Sequence, residues 1–129
     1  MSIEIETFAD SQWGTNSYLV EDRDTQDAVI IDANSEPHAM IEAVKTRGAK
    51  LRAILLTHTD VDHIAGLPAL LEAFGPVPVA VHPAEREVIA EGKPLRRVFP
   101  FALDRDLLLA KNVQFPLRVR LLVNFSTFR

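Results

Sequence analysis

The chain's metal-binding chemistry is concentrated in one short stretch, Thr57-His58-Thr59-Asp60-Val61-Asp62-His63, which directly follows an apolar run. Two of the chain's four histidines and two carboxylates fall inside it. In an extended loop, positions 58 and 60 project to one side. As the chain turns toward a helix, Asp62 and His63 point elsewhere. Two ligand pairs diverging from one loop suit two metals a few ångströms apart. Imidazole with carboxylate fits Zn²⁺, Fe or Mn²⁺. A lone His after a strand is ordinarily a polar loop residue, and a lone Asp there is ordinarily a helix cap. The whole cluster is read as a metal site. The chain has no Cys, so thiol nucleophiles, Cys-based zinc fingers and disulfide scaffolds are excluded.

The elements around this stretch must place it at a sheet edge. Ile3, Ile5 and the Thr7-Phe8 pair alternate with Glu4 and Glu6, the period of a strand. Asn16 to Val20 and Ala28 to Ile31 are apolar runs flanking a charged turn, which predicts an antiparallel hairpin or two strands of a meander. A helix is expected next. Asn34 or Ser35 is its candidate cap, Pro37 lies in its first turn, Met40, Ile41 and Val44 form one face, and Gly48 ends it. Leu51–Thr57 reads as a buried strand, 67–74 as a helix closed by Gly75, Val77–Val81 as a strand, and Pro83–Ala90 as a further helix. The two strands around helix 67–74 form a βαβ unit, so they are expected to be parallel with their carboxyl ends on one edge. Ligands of open α/β sheets bind at that edge. His82 follows the second of these strands and lies on the same edge, whereas His38 is expected on a solvated helix face.

Composition sets the limits. The chain's 129 residues are one domain, with 47% apolar and 25% charged residues. A net charge of −4 argues against a nucleic-acid binder. No apolar stretch approaches the ~18–20 residues of a membrane helix, and no secretory signal is visible. The expected setting is soluble and cytoplasmic, without membrane or nucleic-acid partners.

Thr57-His-Thr-Asp-Val-Asp-His-Ile-Ala-Gly66 resembles the signature loop of the metallo-β-lactamase-fold hydrolases. That loop reads His-x-His-x-Asp-His, after a strand ending in Thr and before a Gly. Asn16-Ser-Tyr-Leu-Val20, Ala28-Val-Ile-Ile-Asp32 and Val79-Ala-Val-His-Pro-Ala-Glu85 are similar to further family segments, so the resemblance spans about residues 3–90. It implies an α/β fold, the family's αββα sandwich, here its N-terminal half with an atypical tail. It also implies a glyoxalase II-like metal-dependent hydrolase acting on a small-molecule ester, thioester or lactone-like carbonyl. On this reading His58 binds a first metal. Asp62 and His63 bind a second, Asp62 also stands near the attacking water as the catalytic residue, and Asp32 holds the loop from behind. Zn²⁺ is expected, up to two ions, with Fe or Mn as alternatives.

The sequence departs from this pattern twice. Asp60 stands where the family has its second His, and is carried here as a metal ligand. No His follows residue 82, so the family's downstream ligands are not among these residues. The tail also changes character. Residues 107–129 hold Lys111, Arg118, Arg120 and Arg129 but no acid, and Val113, Phe115, Leu117, Val119, Leu121, Val123 and Phe125 alternate as in a strand. Two expectations follow: a native C-terminal strand, or a chain cut short after a domain part spanning 1–106. A single sheet with helices would also leave an apolar face for a second copy to cover, a possible homodimer. The alternative function is a catalytically inactive half-domain or protein-interaction module.

Overall fold

The computed structural model describes residues 2–57, 59–82 and 121–122. Its elements are β1 (Ile3–Ala9), β2 (Asn16–Asp22), β3 (Asp27–Ile31), α1 (His38–Arg47), β4 (Lys50–Leu55), α2 (Val61–Ile64), α3 (Leu67–Phe74), β5 (Val79–Ala80) and β6 (Leu121–Leu122). They form one mixed sheet in the order β1-β2-β3-β4-β5-β6. The β1–β2 and β2–β3 pairs are antiparallel, and β3–β4, β4–β5 and β5–β6 are parallel. The expected hairpin and the βαβ unit are both present. The expected helix 83–90, the domain boundary at 106 and most of the tail lie outside the described residues.

Strand alternation sorts side chains between two faces. Leu19 pairs with Ile30 and Glu21 with Ala28 across β2–β3. Leu19, Ala28 and Ile30 join Ile54, Val79 and the buried faces of both longer helices in one core. Those faces are Met40, Ile41 and Val44 of α1, and Leu67, Leu70 and Leu71 of α3. Each large apolar side chain buried there contributes about 1.5–3 kcal/mol. The other face carries Ile5 opposite Val20, and Val20 opposite Val29. On β1 its side chains are open, with Ile3 51% and Ile5 61% exposed.

The start of α1 differs from expectation. Pro37 occupies the N-cap position and no side chain caps the helix. Asn34 and Ser35 are used elsewhere. The Asn34 amide donates to the carbonyls of Phe8 and Thr15 at 2.9 and 3.0 Å, and the Ser35 hydroxyl donates to Asp10 Oδ2 at 2.8 Å. Tertiary partners thus outcompete the local cap. At the other end Gly48 adopts φ 64°, and the N–H groups of Gly48 and Ala49 close on the Lys45 and Val44 carbonyls. The strand read as 51–57 ends at Leu55. Leu56 still donates to the Ala80 carbonyl, but Thr57 donates to the Asp32 side chain instead of a neighbouring strand.

Candidate metal centre

The end of β3 organises the site. Asp32 sits there with φ 63°, a left-handed conformation that Asp tolerates better than most residues. Its N–H donates to the Leu55 carbonyl at 2.8 Å, tying the end of β3 to the end of β4. The turn swings its carboxylate, only 3% exposed with the rest of the residue, under the loop that follows β4. The Thr57 N–H donates to Oδ1 at 2.8 Å and the Thr57 hydroxyl to Oδ2 at 2.8 Å. His63 Nδ1 lies 2.8 Å from the same Oδ2. An ionised carboxylate only accepts, so this contact places the imidazole proton on Nδ1. Asp32, expected from the resemblance to hold the loop from behind, accepts here from Thr57 and lies against His63.

Asp62 and His63 sit on α2, a single turn that periodicity did not reveal. Asp60 occupies its N-cap position without a side-chain cap bond. The turn closes through His63 N–H to the Asp60 carbonyl at 2.9 Å. It is sewn to the β3 exit by Ala33 N–H to the His63 carbonyl at 2.8 Å and Gly66 N–H to the Ala33 carbonyl at 3.0 Å. His63 Nε2 then lies 3.3 Å from Asp62 Oδ2, with both side chains about one-fifth exposed. Two ligands each ~2.1 Å from a common ion span a separation of this size. A carboxylate oxygen and an imidazole nitrogen whose far side is anchored on a carboxylate form a donor pair that fits a divalent metal. Burial would push the His63 imidazole down, but the Asp32 hydrogen bond and the charges of Asp32, Asp62 and Asp60 hold it above its ordinary value.

Of the other residues singled out by sequence, Asp60 is 8% exposed at the mouth of α2. His82 follows β5 on the same sheet edge, His38 is exposed at the start of α1, and His58 lies outside the described residues. Among the described residues no three His, Cys, Asp or Glu side chains converge as a metal-binding group. A cleft of about 340 Å³ lined by Trp13, Ser35, His38 and Glu72 does not include Asp60, Asp62 or His63.

Sequence reading missed the contribution of the β1–β2 loop. The Thr15 hydroxyl donates to Asp62 Oδ2 at 2.7 Å, across 47 positions of sequence. Thr15 is held by Asp10, which accepts from the N–H groups of Trp13 and Thr15 at 3.1 and 2.9 Å and from Ser35. The one local signal was Asp10 itself, an acid placed just before a turn and so able to accept from its N–H groups. Burial pushes the Asp10 carboxyl up. The bonds from the Ser35 hydroxyl and from the Thr15, Trp13 and Ser35 N–H groups outweigh burial and hold it below its usual range.

A carboxyl held low in the folded protein stabilises fully above its unfolded value, about 3.9, and loses that contribution as pH falls through the folded value. Asp10→Asn is therefore expected to cost about 1–3 kcal/mol at neutral pH. The gap to wild type should narrow below about pH 4. Urea midpoints measured across that range check it. A gap that stays constant with pH would assign the loss to shape alone.

A mixed sheet with helices, carrying imidazole and carboxylate groups at the carboxyl ends of its parallel strands, defines an α/β protein with a candidate site at the sheet edge. The family model of the metallo-beta-lactamase superfamily matches residues 10–125, and the chain belongs to that superfamily. A hydroxyacylglutathione hydrolase of Alkalilimnicola ehrlichii is 37% identical over 95 residues, which is 73% of this chain and 34% of that protein. The structure of BLEG-1 B3 metallo-beta-lactamase aligns with TM-score 0.57 and 28% identity, covering 71% of this chain and 48% of that one. TTHA1623, solved in a di-iron-bound form, aligns with TM-score 0.56 and 31% identity over 67% of this chain and 42% of its own. The chain spans about a third of the length of the curated relatives it matches. No helix among the described residues is long and apolar enough to cross a membrane.

Proposed function

We propose that this chain carries the metal-holding loop of a metal-dependent hydrolase acting on a small-molecule ester, thioester or lactone-like carbonyl. The observation that carries the reading is the Asp32–His63–Asp62 arrangement. Asp32 takes the Nδ1 side of the imidazole at 2.8 Å and turns Nε2 toward Asp62 Oδ2. A histidine set in this way is prepared to donate a lone pair before any ligand arrives. His58, Asp60, Asp62 and His63 are the residues that would hold the metal, in one or two sites. Their donors suit Zn²⁺, Fe or Mn²⁺, and the di-iron form of TTHA1623 agrees with that choice.

When bound, a divalent ion supplies a water that loses its proton near neutral pH and polarises the scissile carbonyl. The remaining work belongs to the protein. Asp62 orients the attacking water and accepts its proton. Asp32 keeps His63 in one tautomer and Thr57 in register beneath the loop. The hydroxyacylglutathione hydrolase among the relatives supports a carbonyl substrate of this class.

The test is metal content. Chelator-treated chain, dialysed against Zn²⁺ and then metal-free buffer, is expected to retain about one equivalent or more, and Asp62→Asn and His63→Ala to lose it. Absence of uptake by wild type would overturn the reading. It would favour a catalytically silent half-domain whose open β1 face meets a second copy of the chain.

A further inference from the structure

We infer that Thr15 is a positioning residue for Asp62, so that the β1–β2 loop sets the geometry of the metal-holding pair from the far end of the sequence. The inference rests on the metal reading above for its consequence, but on contacts among the described residues for its geometry.

The Thr15 hydroxyl lies 2.7 Å from Asp62 Oδ2. That is also the oxygen 3.3 Å from His63 Nε2. A carboxylate on a one-turn helix is free to rotate about its side-chain bonds unless something outside the turn fixes it. The hydroxyl supplies that constraint. Its donated proton occupies one lone pair of Oδ2 and sets the plane of the carboxylate. The remaining lone pairs are left for other partners.

Thr15 can do this because its own backbone is fixed at both ends. Its N–H donates to Asp10 Oδ1 at 2.9 Å. Its carbonyl accepts from the Asp10 N–H at 3.1 Å and from the Asn34 amide at 3.0 Å. Asn34 belongs to the segment that follows Asp32, and its own N–H is held by the buried Ser17 hydroxyl oxygen at 3.0 Å. Asp62 is therefore clamped from β1–β2 through Thr15, while His63 is clamped from β3 through Asp32. The two donors are oriented by two different parts of the chain, and neither clamp lies within the loop that carries the donors.

The test uses the full chain with Thr15→Val, which keeps the shape and removes the hydroxyl, and Thr15→Ser, which restores it. Two quantities are read. One is the population of Asp62 side-chain rotamers in the metal-free protein, from three-bond NMR couplings. The other is the affinity for Co²⁺ or Zn²⁺ by calorimetric titration, with thermal midpoints recorded to confirm folding.

In wild type and Thr15→Ser, Asp62 is expected in one rotamer. In Thr15→Val it should average over several, and metal affinity should fall about 10–100-fold, the usual effect of removing an outer partner of a metal ligand. Asp62 remaining in one rotamer in Thr15→Val overturns the proposal, as does an unchanged metal affinity in a valine variant whose rotamers have loosened. A serine variant that fails to recover would assign the effect to lost packing and also overturn it. Should no variant bind metal, the metal reading falls. The rotamer populations then decide the positioning role by themselves.

Discussion

Replacing Gly66 by alanine is expected to destabilise the protein by about 2–4 kcal/mol and to weaken the proposed metal binding with it. The reason is space, not backbone conformation. Gly66 has φ −88° and ψ −3°, which alanine adopts readily. A Cβ built there, however, falls well inside contact distance of the Asn34 carbonyl oxygen, and 3.3 Å from both the Asn34 carbonyl carbon and Pro37 Cβ. The obstruction is backbone, so no side chain can swing away. To make room, the β3 exit must part from the α2–α3 junction. The bonds from Ala33 N–H to the His63 carbonyl and from Gly66 N–H to the Ala33 carbonyl must then stretch. Those bonds register His63 against Asp32.

Gly48→Ala is the informative control. Nothing lies within 4 Å of a Cβ at Gly48, but its φ is 64°. Only left-handed strain is incurred there, about 1–2 kcal/mol. Urea unfolding of both variants, with metal titration of the survivors, separates crowding from strain. Equal losses of stability with intact metal affinity in Gly66→Ala would refute the close-approach argument.

Removing the Asp32 carboxylate should have the second large effect. Asp32→Ala leaves the Thr57 N–H and the His63 Nδ1–H, both part-buried, without their acceptor, at a cost of about 2–4 kcal/mol. It also places alanine at φ 63°. Asp32→Asn isolates the charge, because asparagine tolerates the same backbone and keeps one acceptor. In that variant a fall in metal affinity of about 10–100-fold is expected, since His63 is no longer held in one tautomer.

The pH dependence provides a second signature in the metal-free protein. His63 is held above its ordinary value, chiefly against burial and by Asp32. The stabilisation from its protonated form is complete below about 6.5, the unfolded value, and is lost as pH rises through the folded one. Asp32→Asn should flatten that part of the stability profile and bring the His63 NMR titration midpoint down. A midpoint that does not move would mean that Asp62 and Asp60, not Asp32, hold the imidazole up.

Much of the fold was legible because it rests on local periodicity. The alternation in β1 to β3, the apolar face of α1, the prolines and glycines that punctuate α3, and the βαβ order each follow from side-chain spacing over a few residues. The position of Asp60, Asp62 and His63 was legible as well, since residues that follow a buried strand fall at a sheet edge by connectivity alone. The turn α2 was not legible. It is too short for a period, and it is held by bonds to Ala33 and Asp32, not by its own propensity. The cap expected from Asn34 and Ser35 failed for the same reason. Their side chains found better partners in Phe8, Thr15 and Asp10, residues distant in sequence and adjacent only after the sheet forms.

The sequence by itself determined which groups are available: imidazole and carboxylate at 58–63, a carboxylate at the end of β3, and no thiol anywhere. Tertiary structure alone decided how they are used. A left-handed turn at Asp32 brings its carboxylate beneath His63, and a loop anchored by Asp10 brings the Thr15 hydroxyl to Asp62. Residue spacing specifies donors and acceptors, but a hydrogen bond needs a distance and a direction. Across 31 and 47 positions those are set only by the packing of the sheet.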